Sequence, residues 1–106
     1  MSSGILGQAA PPAATLTDIY TCPSNIVAAL RVIITNRSNT KIGFRLAVSP
    51  DGDAIADEHY IAFDKLIQGN DTGSTIAIVL SEGDIIRVFG ETADLSFTAT
   101  GEERPE

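Results

Sequence analysis

The feature that most limits what this chain can fold into is an alternation of apolar and polar residues with a period of two. Between Asn25 and Asn36, Ile26, Ala28, Leu30, Val32 and Ile34 fall on one side, and Val27, Arg31 and Thr35 on the other. From Thr40 to Ser49 the pattern repeats: Ile42, Phe44, Leu46 and Val48 against Lys41, Gly43, Arg45 and Ala47. A helix would need spacings of three and four, whereas a strand sends successive side chains to opposite faces. Thr15–Thr21, His59–Leu66, Ser74–Leu80 (Ile76, Ile78 and Leu80 inward), Ile85–Gly90 and Leu95–Thr100 read as further strands. Pro50-Asp51-Gly52-Asp53, Gly69–Gly73 and Ser81–Asp84 break the chain between them, with room for one helical turn at Ala54–Glu58. About seven strands and no α-helix predict an all-β fold, an antiparallel β-sandwich of jelly-roll-like form.

One strand pair can be given a register. Placing Ile34 opposite Ile42 sets Val32 opposite Phe44 and Leu30 opposite Leu46, with Arg37-Ser38-Asn39 as a three-residue hairpin loop. The same register sets Arg31 opposite Arg45 on the outward face, with Lys41 near the tip. Like charges across a strand pair are unfavourable by a few tenths to ~1 kcal/mol. Such a ladder therefore calls for carboxylates over it, from the same chain or from another subunit.

Residues 1–14 stand apart. They are rich in Gly, Ala, Ser and Pro, Pro11-Pro12 enforces extended backbone, and Ile5 and Leu6 are the sizeable apolar side chains. The segment reads as an N-terminal arm, either a disordered start or a hook that lays Ile5 and Leu6 on a neighbouring surface. Residues 15–101 form the sandwich domain, and 102–106 an acidic tail. The 106 residues are room for one domain. The arm has no basic residue leading into an apolar block, so a secretory leader is not expected. No apolar run reaches the ~18 residues of a membrane span.

Charge narrows the partners. The net charge is −7 and the isoelectric point near 4.4, a balance that disfavours nucleic acid, whose phosphates need cations. It is also uneven. Residues 1–50 carry four bases against one acid, and residues 51–106 carry three bases against thirteen acids. Faces of unlike charge can meet copies of the chain or a mixed-charge partner.

The residues offer little chemistry. His59 is the single histidine and Cys22 the single cysteine, and nothing in the sequence brings them together as a nucleophile and base. One cysteine makes no internal disulfide, which suits assembly in a reducing cytoplasm. Asp51–Glu58 lacks the oxygen ligand at position 5 and the glycine at position 6 of an EF-hand loop, leaving only an irregular calcium site open to it. Two zinc-type ligands are too few for a zinc site, and no phosphate-cradling glycine motif occurs. No Trp and two Tyr leave little with which to line a sugar cleft. The expectation is a protein without enzymatic activity and without a cofactor or metal.

Several blocks carry a resemblance. Gly7-Gln8 leads into Thr15-Leu-Thr-Asp-Ile-Tyr20-Thr-Cys-Pro23; Asn36-Arg37, Phe44-Arg-Leu-Ala-Val48, His59-Tyr-Ile-Ala-Phe-Asp64, Gly83-Asp84 and Leu95-Ser-Phe97 follow. Together they resemble a family of small virion structural proteins of tailed bacteriophages, including phages of cyanobacteria, over roughly Gly7–Gly101. Cys22, where an aliphatic residue is commoner, and the charged tail Glu102–Glu106 depart from the family pattern. The resemblance implies a capsid decoration or cement protein on the head, bound to the major capsid protein and to itself as a homotrimer. The candidate contact residues are then Ile5, Leu6, Arg31, Lys41 and Arg45. Two other readings stand beside it: a tail-fibre or baseplate module that reads the host surface through Asp51–Glu58 and Gly69–Gly73, and a small calcium-binding cellular sandwich.

Overall fold

A computed structural model describes residues 3–106. It is all-β, with nine strands: β1 Ser3–Ala9, β2 Thr17–Thr21, β3 Ile26–Asn36, β4 Ile42–Ser49, β5 Tyr60–Ile67, β6 Thr72–Ser74, β7 Ile78–Leu80, β8 Ile85–Gly90 and β9 Leu95–Pro105. Two short 3₁₀ turns, Pro50–Gly52 and Asp57–His59, lie between β4 and β5. One sheet runs β1-β9-β3-β6, with β7 also paired to β3, and the other runs β2-β8-β4-β5; every pairing is antiparallel. β6 and β7 pair with two stretches of the same side of β3, so they act as one edge strand interrupted at residues 75–77. Counted that way, the chain crosses between the sheets at every connection but β4 to β5. This is the eight-strand order of a jelly roll.

The alternation read from the sequence builds the core between the sheets. Ala28, Leu30, Val32 and Ile34 of β3 are buried and face Ile42, Phe44 and Leu46 of β4, with Ile86, Val88, Leu95, Phe97 and Ala99 completing the layer. Phe44 and Phe97 meet edge-on across it, ring centres 6.4 Å apart. Each fully buried side chain of this kind is worth about 1.5–3 kcal/mol.

The β3–β4 hairpin is not formed. β3 pairs with β9, β6 and β7, and β4 with β5 and β8, so Ile34 and Ile42 belong to different layers. Asn36 supplies the physical reason. Fully buried, it donates from Nδ2 to the carbonyls of Thr40 (2.8 Å) and Ile67 (3.1 Å), and its Oδ1 accepts from Ser38 N (3.0 Å) and Ser38 Oγ (2.9 Å). These bonds arch residues 37–41 from one sheet to the other. The two inward faces then stack across the core instead of lying side by side.

The arm is also placed differently from the expectation. Residues 3–9 are strand β1, hydrogen-bonded along β9 of their own chain. A bulge between Ile5 and Gly7 turns Leu6 toward the core, and Pro11 is fully buried where the chain crosses to the other sheet. The acidic tail is likewise strand: Glu102–Pro105 continue β9, opposite Ile26–Ala29 of β3.

Candidate functional site

Stacking the two sheets leaves two lateral edges, β1 over β2 and β6–β7 over β5. The first is shut. A Cβ at Gly7 would stand 2.0 Å from the Ile19 carbonyl oxygen, so glycine alone lets β1 lie against β2. The second edge is open, and it is the candidate site.

β5 makes that opening. Its register with β4 slips twice, at Ile61 and again where Phe63 and Asp64 together oppose Arg45. The second slip is a β-bulge with Asp64 in the left-handed region (φ 51°). Arg45 locks it. Its Nε and Nη2 donate to the Asp64 carboxylate at 2.7 and 3.3 Å, and its guanidinium lies 4.1 Å from the Phe63 ring centre and 4.7 Å from that of Phe89. The Asp64 hydrogen bonds push the Arg45 pKa up from its already high ordinary value. Tyr60 braces Phe63 edge-on, ring centres 4.9 Å apart.

Across the gap, β6 and β7 are separated by a step away from β3. Thr75 holds the step in place: its N–H donates to the Val32 carbonyl (2.9 Å), and its Oγ1 accepts from Val32 N (3.0 Å). Ile76 is thereby thrown outward, 84% exposed, where the sequence period placed it inside. Between the walls runs a groove of about 610 Å³ floored by Ile34 and Phe44 of the core. Its rims carry Ile61 (52% exposed), Leu66 (57%) and Ile76, with Lys65 on one side and Asp71 on the other. Phe63 and Val79 add exposed apolar surface just outside it. Scattered apolar side chains are ordinary on a protein surface, but a run along one edge marks a contact surface.

The residues picked out from the sequence are spread apart. Arg45 sits beside the site on the outer face of the β5 sheet, half-buried, and its carboxylate comes from Asp64 of the same chain. Arg31 is on the outer face of the other sheet, opposite Thr100. Lys41 is exposed at the end of the arch. No basic ladder exists, because the hairpin that would build it is an arch. Ile5 remains exposed on β1, while Leu6 packs against the core. Cys22 and His59 are not brought together. The buried Cys22 thiol donates to the Ile26 carbonyl (3.3 Å), and His59 Nδ1 accepts from Ala56 N (3.0 Å) inside its 3₁₀ turn. Among the described residues no three His, Cys, Asp or Glu side chains converge closely enough to hold a metal ion. The groove itself had one signal in the sequence: Ile61, Phe63 and Leu66 cannot all share one face of a regular strand.

What the fold and this edge define is a small jelly-roll sandwich with one lateral edge shut and the other open. No protein-family model, curated protein or solved structure matches the chain.

Proposed function

We propose that this chain is a non-enzymatic virion structural protein, a decoration or cement protein that staples neighbouring major capsid subunits on a phage head. The observation that carries the reading is the open edge: branched apolar side chains held outward along one side of a rigid jelly roll. Ile76 and Leu66 are more than half exposed, so they contribute little to the fold and offer apolar area for contact. The sequence blocks from Gly7 to Phe97 that resemble phage virion proteins support the same reading. A staple needs only modest contacts, because engaging two sites at once raises effective affinity by about 10²–10⁴-fold.

Quantitative mass spectrometry of purified particles, with cryo-microscopy to locate the chain, tests the proposal. Many copies on the head, and heads that burst at lower temperature when the chain is missing, are the expected result. A few copies confined to the tail would instead make it a host-binding module. Absence from particles would remove the virion role altogether.

A further inference from the structure

The occupant of the open edge can be argued from charge. Resting on the reading of that edge as an adhesive surface, we infer that it seats a second copy of this chain, open edge against open edge about a two-fold axis. The chain carries −7 overall, so two copies repel wherever their acids meet. Most of those acids are gathered at one end of the sandwich. They lie in the loop that bears Asp51, Asp53 and Asp57, in the turn with Glu82 and Asp84, and at the end of β9. Asp84 ties that end together, accepting from Asp51 N and Ser81 N. The groove instead carries one charge of each sign, Lys65 and Asp71.

A two-fold contact is self-complementary only if the patch holds both halves of each pair. Lys65 and Asp71 meet that condition from opposite rims. Among the described residues Lys65 has no ion-pair partner, and the Asp71 carboxylate accepts only from Thr72 N. Rotation by two-fold symmetry sets Lys65 of each copy toward Asp71 of the other, with Ile61, Leu66 and Ile76 entering the facing groove. This differs from the three-fold arrangement that the family resemblance implies.

The backbone argues against an added foreign strand. Strand addition needs an unbroken row of N–H and C=O groups, and here β5 is bulged twice while β6 and β7 are split at residues 75–77. Side chains therefore make the contact.

Sedimentation equilibrium of the purified full chain decides the matter. The expected result is a reversible dimer. Ile76→Glu and Leu66→Glu should each weaken it at least ~10-fold with an unchanged circular dichroism spectrum, while Val79→Glu, outside the groove, leaves it intact. Lys65→Glu and Asp71→Lys should each weaken it, and the double exchange should restore it. A monomer, a trimer, a dimer indifferent to these substitutions, or a double exchange that fails to restore pairing would each overturn the inference. Because no particle is present, a monomer here would leave the capsid reading standing. Absence from heads would leave a solution dimer standing in turn.

Discussion

The two lateral edges of this sandwich solve the same problem in opposite ways. Every open sheet ends in strands whose outer side lacks a neighbour. At β1/β2 the backbones themselves meet: Gly7 lies on the Ile19 carbonyl, Leu6 enters the core, and buried Pro11 closes the crossing. At β5/β6–β7 the strands are bent and stepped, and the core is left reachable between them. The first edge packs Leu6, Ile19 and Tyr20 into the core and leaves Ile5 outside, whereas the second displays Ile61, Leu66 and Ile76 together. Gly7→Leu tests the shut edge most severely, because any side chain there overlaps main-chain atoms that no rotamer can relieve. Urea unfolding should show a loss of about 3 kcal/mol. A loss below about 1 kcal/mol would mean that β1 can lift from β2 and that the two edges differ less than their geometry.

The open edge has its own tie, Asn36, which holds Ile67 of β5 to the arch beside it. Asn36→Ala leaves the Thr40 and Ile67 carbonyls without this donor in a buried place. About 2 kcal/mol of stability should go with it. The loss should also be local. Amide exchange should speed up in β5 more than in β2, and equal acceleration at both edges would show that the tie serves the whole sandwich.

Period two makes the strands legible in the sequence, but not their partners. Ile34 and Ile42 point inward whether β3 and β4 lie side by side or face each other, so alternation cannot distinguish a hairpin from an arch. Asn36 held the discriminating information. A buried amide at a strand end, with Ser38 two residues on, can knit an arch, yet the short Arg37–Asn39 loop reads equally well as a hairpin. β1 is obscured for another reason: Gly and Ala have little strand propensity, and its partner β9 lies almost a full chain length away in sequence. Ile76 departs from the period because the alternation breaks at Thr75, where a hydroxyl takes over a main-chain partner. The candidate site was therefore the least legible part. It is made of two bulges and a step, each a departure from the rule that revealed the strands.

Alkali should single out the shut edge. Tyr20 of β2 donates to Glu103 Oε2 at 2.6 Å, and Cys22 follows it in the same buried layer. Burial, aided by the Glu103 hydrogen bond, pushes the Tyr20 hydroxyl well above the usual phenol range, and burial also pushes the Cys22 thiol up. In both cases the folded chain holds its proton more tightly than the unfolded chain. Their contribution is complete well below about pH 8.5, the midpoint of an unfolded cysteine's ionisation, and falls as the pH rises through that point and past about 10 for tyrosine. The slope approaches about 1.4 kcal/mol per pH unit for each group. Urea midpoints should hold steady from pH 7 to 8 and decline above 9, with Cys22→Ala and Tyr20→Phe each flattening the decline. A decline untouched by either variant would move the alkaline weakness away from β2.

The smallest effect is the one that separates the edges most directly. Ile76 is 84% exposed, so folding hides little of its surface and the hydrophobic effect gives it little hold on monomer stability. Ile76→Ser should change the unfolding free energy by no more than about 0.5 kcal/mol. Leu6→Ser, on the shut edge, removes a side chain packed against the core and should cost visibly more. Both must be measured at low protein concentration, since self-association would add its own stabilisation as concentration rises. If Ile76→Ser proves as costly as Leu6→Ser, Thr75–Ala77 folds down over Ile34 and Phe44 in solution, and the sandwich has two shut edges. If it costs nothing when dilute but its melting temperature rises less steeply with concentration than that of the wild type, the isoleucine serves contact between molecules and not the fold of one.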